Sequence, residues 1–478
     1  MITMCFPHDD ANRETSMSQP SYRTSPDPNE TRMPSGVPYI VGNEAAERFS
    51  FYGMRAILYV FMTEHLIGLD GELATMEPTE ANIWLHNFQK ATYAFPIFGA
   101  VICDWFLGKY RTILYVSLLY CVGHAIMAMC DIPGVTGLEP RTALYWGLAL
   151  IAIGAGGIKP CVSSHVGDQF GPSNKGLITT VYGWFYLSIN VGAAVSSLLT
   201  PLLLDTYGPG VAFGLPGVLM GLATLLFWLG RNDFVHVPPG GSSFLRDTFS
   251  RDGLLALANL IPLFLLLTVF WSLFDQTSTT WVEQSKHLDR TVLGITFSPS
   301  QIQAVNPVLI LILVPIFTQL IYPWAEKRIK VTPLRKIGVG FVIAPLSYML
   351  IAWLQQRIDA GETPSVAWQL LAYLVITTSE VLISITALEF SYTQAPLKMK
   401  SFVTGVYWGS VYLGNEIVVK VNEYIQSQQE SGAEVLEGAA YFRLFTWAMI
   451  VTTVIYIVWS QFYRGRTYIQ GEEAEPAE

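Results

Sequence analysis

The chain has 478 residues, of which 51% are hydrophobic, 13% aromatic and only 14% charged, and its formal net charge is -9 at pH 7. A typical soluble domain is roughly 25% charged, so a soluble chain of this length would expose far too much apolar surface to water. Much of the acidity lies in the two polar ends, and the net charge therefore does not describe the central part. The composition predicts a membrane protein. Nucleic-acid binding is not expected, because the chain has neither a basic face nor a basic tail.

Apolar runs long enough to cross a bilayer, which need about 20 residues, recur throughout the chain. They lie at approximately 38–66, 83–107, 111–131, 142–165, 176–203, 208–230, 254–283, 301–325, 333–355, 367–394, 401–425 and 439–463. Short segments rich in Gly, Pro and Asp separate them, as is typical of loops. The sequence therefore predicts an all-α membrane protein with twelve transmembrane helices.

The distribution of Lys and Arg predicts the orientation of these helices, because cytoplasmic loops carry an excess of both residues. If both termini are cytoplasmic, the inner loops and the end of the last helix carry Lys109, Arg111, Lys175, Arg231, Arg246, Arg251, Lys327, Arg328, Lys330, Arg335, Lys336, Lys398, Lys400, Arg464 and Arg466. The outer loops then carry only Arg141, Lys286, Arg290 and Arg357. We therefore expect both termini to be cytoplasmic.

A polar segment rich in Gly and Pro joins the sixth and seventh apolar runs and divides the chain into two halves. The first residues contain no apolar run of the kind found in signal peptides, and their Ser, Pro, Asn and charged residues predict disorder. The expected organisation is a disordered polar tail at 1–35, an N-terminal six-helix bundle at 36–231, a cytoplasmic linker at 232–253, a C-terminal six-helix bundle at 254–464 and an acidic cytoplasmic tail at 465–478.

The segment 99–111 connects the second and third predicted helices on the inner side. It contains Gly99, Asp104, Gly108 and Lys109 and is similar to the loop that serves as an inner gate in major facilitator transporters. Six plus six helices with this loop predict the major facilitator fold, in which two bundles rock about a site near the middle of the membrane.

The first predicted helix contains charged residues where they are energetically costly. Glu44, Glu47 and Arg48 are spaced i, i+3 and i+4, so they share one helical face, and Arg55 continues the same stripe. One interpretation is a structural ion pair that is neutralised internally. The other is functional: two acids beside one arginine leave a surplus carboxylate, which in a dry environment can carry a proton. We favour the functional interpretation, with Glu47 as the stronger candidate.

The fourth predicted helix contains a lone lysine, Lys159, followed by Pro160. Pro160 removes a helical hydrogen bond beside the lysine, and the preceding glycines allow other helices to approach closely. A purely structural lysine is the alternative, which we do not favour.

The two halves differ in the sign of the charge that they place within the membrane. The N-terminal half contributes Arg48, Arg55 and Lys159, whereas the C-terminal half contributes Asp275 and Glu380. A cleft with cations on one wall and a carboxylate on the other suits a small zwitterion that bridges both halves.

Three long segments of the sequence resemble those of a known family. They read Glu44-x-x-Glu47-Arg48-Phe-x-Phe-Tyr52-Gly53; Gly154-Ala-Gly-Gly-Ile-Lys-Pro-Cys-Val-Ser-Ser-His-Val-Gly-Asp168-Gln169-Phe170, followed by Phe185-Tyr186-x-x-Ile-Asn190-x-Gly192; and Glu389-Phe-Ser-Tyr-Thr-Gln-Ala-Pro396. The chain resembles the proton-coupled oligopeptide transporters of the major facilitator superfamily, and the similarity runs through all twelve predicted helices.

The resemblance implies roles for the matching residues. It implies proton coupling by Glu44, Glu47, Arg48 and His86; substrate binding by Arg48, Tyr52, Tyr93, Lys159, Asn190, Trp271, Asn306, Glu380 and Tyr407; and an outer salt bridge between Arg55 and Asp275. Arg48 and Lys159 would receive the peptide carboxylate, and Glu380 would hold the amino terminus. For His86, a role in protonation and a satisfied histidine near a helix end remain open. The sequence gives no role for Lys90, one turn from His86.

The expected function is the import of di- and tripeptides with protons by alternating access, performed by a monomer without metal or cofactor in a cell membrane, with the bacterial inner membrane favoured. Proton-coupled transport of nitrate or another small anion on the same fold is the alternative. An anion needs no acidic partner for an amino terminus, so Glu380 favours peptides. A membrane enzyme or receptor is not expected, because the sequence has no nucleotide-binding loop, no HExxH and no serine–histidine–acid arrangement.

Overall fold

A computed structural model of the protein describes residues 22–239, 251–394, 400–431 and 436–463 together with four short strand residues near the end of the chain, 466–467 and 475–476. Long helices make up most of the described chain. They are α1 (Val37–Val60), α2 (Pro78–Val101), α3 (Lys109–Met129), α4 (Pro140–Gly167), α5 (Ile178–Tyr207), α6 (Pro209–Leu229), α7 (Arg251–Phe274), α8 (Val305–Ile316), α9 (Pro333–Asp359), α10 (Ala367–Glu380), α11 (Lys400–Ser431) and α12 (Gly438–Phe462).

Shorter elements extend and connect these helices. Among the described residues, π-helical turns continue α1, α2, α8 and α10 at Phe61–His65, Ile102–Leu107, Phe317–Ile321 and Val381–Ile385. Further helical pieces lie at Pro133–Thr136, Lys175–Leu177, Gly230–Asn232, Asp275–Ser278, Thr280–Lys286, Pro299–Ala304, Tyr322–Glu326 and Thr386–Thr393. Two antiparallel strand pairs join Thr291–Val292 to Ile295–Thr296 and Arg466–Thr467 to Glu475–Pro476.

Several helices are apolar on their outer as well as their inner faces. On α6 the side chains of Leu222 and Leu225 are exposed, and on α12 those of Val451 and Val458 are exposed. A helix that is hydrophobic all round needs an apolar environment outside as well as inside. In the described part of the chain, nine helical segments are long and apolar enough to cross a membrane.

The helices α1, α2 and α11 are not among those nine segments. Each carries buried or half-buried polar and ionisable side chains along its length, for example Glu47 on α1, Lys90 on α2 and Glu416 on α11. These three helices are therefore too polar to be identified as membrane-spanning from their length and apolar composition alone. These three helices supply much of the charged chemistry described below.

Buried apolar side chains form two large clusters. One is built almost entirely from α1–α6, and the other from α7–α12. The main packing between the two halves is between α2 and α11 and between α5 and α8, while Pro299–Ala304 packs against α1 and α5. Each half thus has its own core, and a cavity lies between them.

Hydrogen bonds and ion pairs join the two halves near the connections 66–77 and 287–298. We call this end the outer end, because the Lys/Arg distribution predicts that it faces outward. There Tyr59 donates to Glu283 across 3.2 Å, and the Lys286 ammonium lies 2.7 Å from Glu64. These contacts hold the two halves together at the outer end.

The segment 22–35 belongs to the region that the sequence predicts to be disordered, yet its described residues make specific contacts. Tyr22 stacks on His236, and the Arg32 carbonyl accepts a hydrogen bond from Asn174. Aromatic and carbonyl groups of this segment thus find partners in the loops of the N-terminal half, which offsets the entropy lost on ordering. Residues 1–21, the linker residues 240–250 and most of the acidic tail 465–478 lie outside the described residues.

The predicted inner gate loop is a π-helical turn followed by a sharp reversal. Gly108 has φ of 75°, a conformation that favours glycine, where the turn ends and α3 begins. At Gly99, α2 passes so close to α4 that a Cβ would lie 2.8 Å from the Cα of Gly157. The Lys109 ammonium lies 2.5 Å from the Asp168 carboxylate at the end of α4. The side chain of Asp104 is outside the described set.

Candidate binding cavity and its ion pairs

A cavity of about 250 Å³ lies between the two halves and is lined by both. The predicted substrate-binding residues Tyr52, Tyr93, Asn190, Trp271, Asn306, Glu380 and Tyr407 line it, together with Arg55 and Asp275. Arg48 and Lys159 are not among the lining residues. The helices therefore bring most of the predicted binding residues to one cavity, with the two remaining cations behind its wall.

The charged cluster of α1 is buried and held by a single guanidinium. Arg48 Nε lies 2.7 Å from Glu44 and 2.9 Å from Glu47. The contact with Glu44 is a hydrogen bond, whereas neither carboxylate oxygen of Glu47 makes one. Two carboxylates therefore compete for one cation, and Glu47 is the less well satisfied of the two.

Lys159 is held by aromatic rings instead of a carboxylate. Its ammonium lies 4.2 Å from the ring centre of Tyr93 and 6.0 Å from that of Trp408, and both rings line the cavity. Among the described residues it forms no ion pair. Cation–π contacts retain a cation without neutralising it. The charge of Lys159 thus remains available to an anionic group at this edge of the cavity.

The opposite wall carries Glu380. Asn306 donates one hydrogen bond to Glu380 Oε2 across 2.7 Å and another to Thr377 across 3.0 Å. Glu380 is the last residue of α10 before the π-helical turn Val381–Ile385, and such turns are frequent at functional sites. The fixed carboxylate lines the cavity and suits a cationic partner such as an ammonium group.

Other lining side chains supply apolar area and further polar groups. The Trp271 indole N–H is buried and has no hydrogen-bond partner among the described residues. The hydroxyl of Tyr407 donates to the Ser384 carbonyl, and the amide of Asn190 donates to the Tyr186 carbonyl within α5. An unpartnered donor on a cavity wall is a candidate for contact with a ligand acceptor.

A buried network at the outer end links four helical segments. Arg55 lies 3.2 Å from Asp275, whose other oxygen accepts a hydrogen bond from Asn415 across 2.7 Å. Asn415 Oδ1 lies 2.7 Å from His86 Nδ1, and His86 Nε2 lies 3.1 Å from the Thr279 hydroxyl. The chain of contacts runs from α1 through the start of the Asp275–Ser278 turn to α11 and α2.

The network determines which nitrogen of His86 carries a proton. Because Asn415 uses its amide nitrogen to donate to Asp275, its oxygen accepts from His86 Nδ1. In the neutral ring, Nε2 then accepts from the Thr279 hydroxyl. A proton added at Nε2 would require that hydroxyl to rotate. His86 is thus fully hydrogen-bonded and coupled to the Arg55–Asp275 pair.

Lys90, for which the sequence gives no role, forms an ion pair across the two halves. Its ammonium lies 2.5 Å from Glu416 on α11 and 5.9 Å from the ring centre of Tyr412. Lys420 is closer to Glu423, at 2.7 Å, than to Glu416, at 3.8 Å. The partner of Glu416 is therefore Lys90. The pairing depends on the contact of α2 with α11, which local sequence does not reveal.

We expect reversal of one charge of this pair to weaken the packing of α2 on α11 and so to slow transport. Lys90→Glu places two carboxylates together, and the cost of such a partly exposed contact is on the order of 1 kcal/mol, which corresponds to an uptake rate lower by roughly fivefold. The double variant Lys90→Glu/Glu416→Lys restores opposite charges and is expected to recover most of the rate. Initial uptake rates of Lys90→Glu, Glu416→Lys and the double variant test this. A double variant that is worse than either single variant contradicts it.

The inner loop has its own electrostatics. Burial raises the pKa of the Asp168 carboxyl, although the Lys109 ammonium opposes this shift.

Among the residues that the structure describes, no group of three or more His, Cys, Asp or Glu side chains is arranged to hold a metal ion.

Comparisons with known proteins give a consistent result. The family model described as the POT family matches residues 110–255 and 250–437. "Peptide transporter family 1" of Drosophila melanogaster is 35% identical over 366 residues, which cover 68% of this chain and 48% of that protein. "Solute carrier family 15 member 2" of Homo sapiens is 32% identical over 416 residues, which cover 77% of this chain and 56% of that protein. The chain spans about half the length of the curated relatives it matches.

Two solved structures match this chain over nearly their whole length. The crystal structure of the POT family transporter PepTSo has 34% sequence identity and a TM-score of 0.78, with 90% of this chain and 99% of that chain covered. An auto-inhibited POT family peptide transporter has 33% identity and a TM-score of 0.77, with 92% and 99% covered. The major facilitator fold predicted from the sequence agrees with these similarities.

Proposed function

The chain belongs to the POT family, and we propose that it is a proton-coupled symporter that imports di- and tripeptides by alternating access. The observation that carries this proposal is the cavity between the two halves. It has an aromatic wall backed by the unneutralised Lys159 and a facing wall with the fixed carboxylate of Glu380. A short peptide is a zwitterion, and its two ends need these two charges.

The bound peptide would lie across the cavity. Its carboxylate would contact Lys159 and, on release from Glu47, Arg48, while its amino terminus would contact Glu380. The aromatic residues Tyr93 and Trp271 supply apolar surface for side chains without requiring a particular one. This arrangement supports recognition of the peptide ends and tolerance of the side chains.

The names of the relatives support peptides over nitrate. Those relatives are described as peptide transporters, and the solved structures as POT family transporters. A nitrate ion would use Lys159 or Arg48 but leave Glu380 without a partner. No observation on this chain favours the anion.

Coupling follows from competition for a cation. Ionised Glu47 neutralises Arg48, which lies 2.9 Å away. When Glu47 takes up a proton, the Arg48 guanidinium retains Glu44 as its single charged partner. It can then also bind the peptide carboxylate. Proton and peptide therefore bind together. Closure of the two halves around the cavity then brings Glu380 into contact with the amino terminus of the peptide. His86 would adjust this coupling through Asn415 and the Arg55–Asp275 pair.

Alternating access would be a rocking of the bundles 36–231 and 254–464 about the cavity, with twelve helices crossing the membrane and both termini cytoplasmic. The Arg55–Asp275 pair, at 3.2 Å, would hold the outer end closed. On the inner side, the turn at Gly108 and the Lys109–Asp168 pair would form part of the inner gate.

We place the protein in a cell membrane, with the bacterial inner membrane favoured, as a functional monomer that needs no cofactor. The nine long apolar helices of the described chain support the placement in a membrane.

The direct test is uptake of labelled dialanine into proteoliposomes, with and without an inward proton gradient. We expect uptake that the gradient stimulates and that unlabelled tripeptides, but not nitrate, compete away. Absence of dialanine uptake under every gradient, with nitrate uptake in its place, would overturn the proposal.

A further inference from the structure

The N-terminal bundle contains a second set of buried polar groups that is separate from the peptide cavity. These groups form two stripes with helical spacing, one on α1 and one on α3, and each side chain is at most 1% exposed. We call them the polar seam; it consists of Asn43, Glu47 and Ser50 on α1 and Ser117, Tyr120 and His124 on α3. None of the six lines the peptide cavity.

The helix α6 aligns the two stripes. Ser50 donates to the Pro216 carbonyl across 2.6 Å. At the next residue, Gly217, α6 approaches α3 so closely that a Cβ there would lie 2.8 Å from the Cβ of His124. Ser50 and His124 therefore lie at the same level on opposite sides of α6.

One helical turn below that level lie Glu47 and Tyr120. Tyr120 packs against α4 at Gly154, where an added Cβ would lie 2.6 Å from the Tyr120 Cβ. The Tyr120 hydroxyl is influenced by the charge of Glu47 without contacting it, because neither group has a hydrogen-bond partner among the described residues. Tyr120 also stacks on His124, with ring centres 5.0 Å apart. The seam therefore runs from Glu47 to Tyr120 to His124.

Most polar atoms of the seam have no hydrogen-bond partner among the described residues. They are both amide atoms of Asn43, both carboxylate oxygens of Glu47, the hydroxyls of Ser117 and Tyr120 and both ring nitrogens of His124. Buried polar groups are nearly always hydrogen-bonded, and a roomy polar site is where bridging water is found. A phenylalanine or leucine would pack at these α3 positions without that cost. The unpartnered groups of the seam are therefore places where bridging water can bind.

Glu47 needs a proton route of its own. It is fully buried, and neither it nor Arg48 lines the cavity. We propose that Tyr120 and His124, joined by bridging water, form the path by which a proton reaches and leaves Glu47 within the N-terminal bundle. This inference rests on the proposed function, because it assigns a route to the proton of that transport cycle.

The transfer leaves the relay residues unchanged. Through one bridging water, Tyr120 gives its hydroxyl proton to the Glu47 carboxylate, and through a second water it takes a proton from the His124 ring. His124 then regains a proton from the water on its other nitrogen. One proton moves in total, and Glu47 changes from carboxylate to carboxylic acid.

The charges around the seam favour passage of a proton over its storage on histidine. The groups that act on it are Glu44, Glu47 and Arg48 from α1, Cys121 on α3 and Lys159 on α4. The helix α6 contributes no ionisable side chain between Pro209 and Leu229. His124 is fully buried and makes no ion pair among the described residues, so a fixed cation on its ring is disfavoured.

The test uses Tyr120→Phe, which removes only the hydroxyl, and His124→Phe, which keeps the aromatic stack. The matched control is His165→Phe: His165 lies in the same bundle, is 1% exposed and also has two unpartnered ring nitrogens, but packs against Phe227 and Phe234 away from the seam. The full-length variants are reconstituted, and labelled dialanine is followed in exchange at equal pH and in uptake driven by a proton gradient.

We expect Tyr120→Phe and His124→Phe to retain exchange but to lower gradient-driven uptake by about tenfold or more, which is the scale for loss of a proton-transfer group. His165→Phe is expected to match the wild type in both assays. His124→Asn keeps a hydrogen-bonding group and is expected to retain more driven uptake than His124→Phe.

Each alternative outcome has a distinct meaning. If both seam variants take up dialanine under a gradient as fast as His165→Phe, the relay is wrong while peptide transport stands. If exchange and driven uptake fall in equal proportion in Tyr120→Phe and His124→Asn, the seam is structural and the relay is again wrong. If the wild type shows no gradient-driven dialanine uptake, the proposed function itself fails.

Discussion

Glu47→Gln is expected to exchange peptide across the membrane but to lose accumulation driven by a proton gradient. The amide mimics the protonated acid, so it leaves Arg48, 2.9 Å away, permanently available to the peptide carboxylate. One pH unit corresponds to about 1.4 kcal/mol, or about tenfold accumulation for each coupled proton. We therefore expect the wild type to concentrate dialanine about tenfold per pH unit and the variant to reach only the external concentration. Steady-state accumulation and equal-pH exchange in the same vesicles measure both quantities.

The control is Glu423→Gln, which makes the same chemical change at an exposed carboxylate of α11 that pairs with Lys420 at 2.7 Å. It should accumulate dialanine like the wild type. If Glu47 were only part of a structural ion pair, Glu47→Gln would lower exchange and driven uptake together. Undiminished accumulation in that variant would sink the coupling mechanism.

Lys159→Gln is expected to lose most of its affinity for peptides with a free carboxyl terminus. Lys159 makes no ion pair among the described residues, and its ammonium stays over the rings of Tyr93 and Trp408 at the cavity edge. A hydrogen bond to a charged group contributes about 1.5–3 kcal/mol, so we expect the KM for dialanine to rise roughly ten- to hundredfold. Dialanine amide lacks the carboxylate, so we expect the wild type to transport it more weakly than dialanine. Its transport should change little in Lys159→Gln. Competition assays with the two compounds measure the difference.

Lys336→Gln is the matched control, because Lys336 also lies over an aromatic ring, 4.1 Å from the centre of Tyr322, but at the start of α9 and outside the cavity lining. Its KM for dialanine should be unchanged. Equal losses for dialanine and its amide in Lys159→Gln would show that the lysine does not recognise the carboxylate.

The α1 cluster illustrates what local sequence determines. The spacing of Glu44, Glu47 and Arg48 places them on one helical face whatever the tertiary structure, so their proximity follows from the helix period alone. The apolar lengths of helices such as α6 and α12 likewise predict membrane helices directly. The opposite charges of Lys159 and Glu380 indicate a zwitterion site once the two halves are known to face each other.

Contacts between distant helices are harder to predict. Lys90 and Glu416 are 326 residues apart, and Asn415 joins His86 to Asp275 only through the packing of α2 on α11. The π-helical turn after Glu380 has no sequence signature that we recognise. Tyr120 and His124 lie in a largely apolar helix, and the sequence does not show that their polar atoms are buried without hydrogen-bond partners among the described residues.

The contacts of 22–35 also depended on tertiary structure. The composition of this segment favours disorder, but Tyr22 stacks on His236 in the connection after α6. A partner that becomes available only after the bundle has folded cannot be read from the composition of the segment itself.

The central claim is that peptide and proton cross together, and the most direct test is whether peptide alone moves protons. Proteoliposomes with a pH-sensitive dye in the lumen, equal pH on both sides and a clamped membrane potential are given external dialanine. The account predicts that the lumen acidifies, and that Glu47→Gln abolishes this acidification while dialanine still enters. Entry of labelled dialanine into wild-type vesicles without any change in luminal pH would contradict the account.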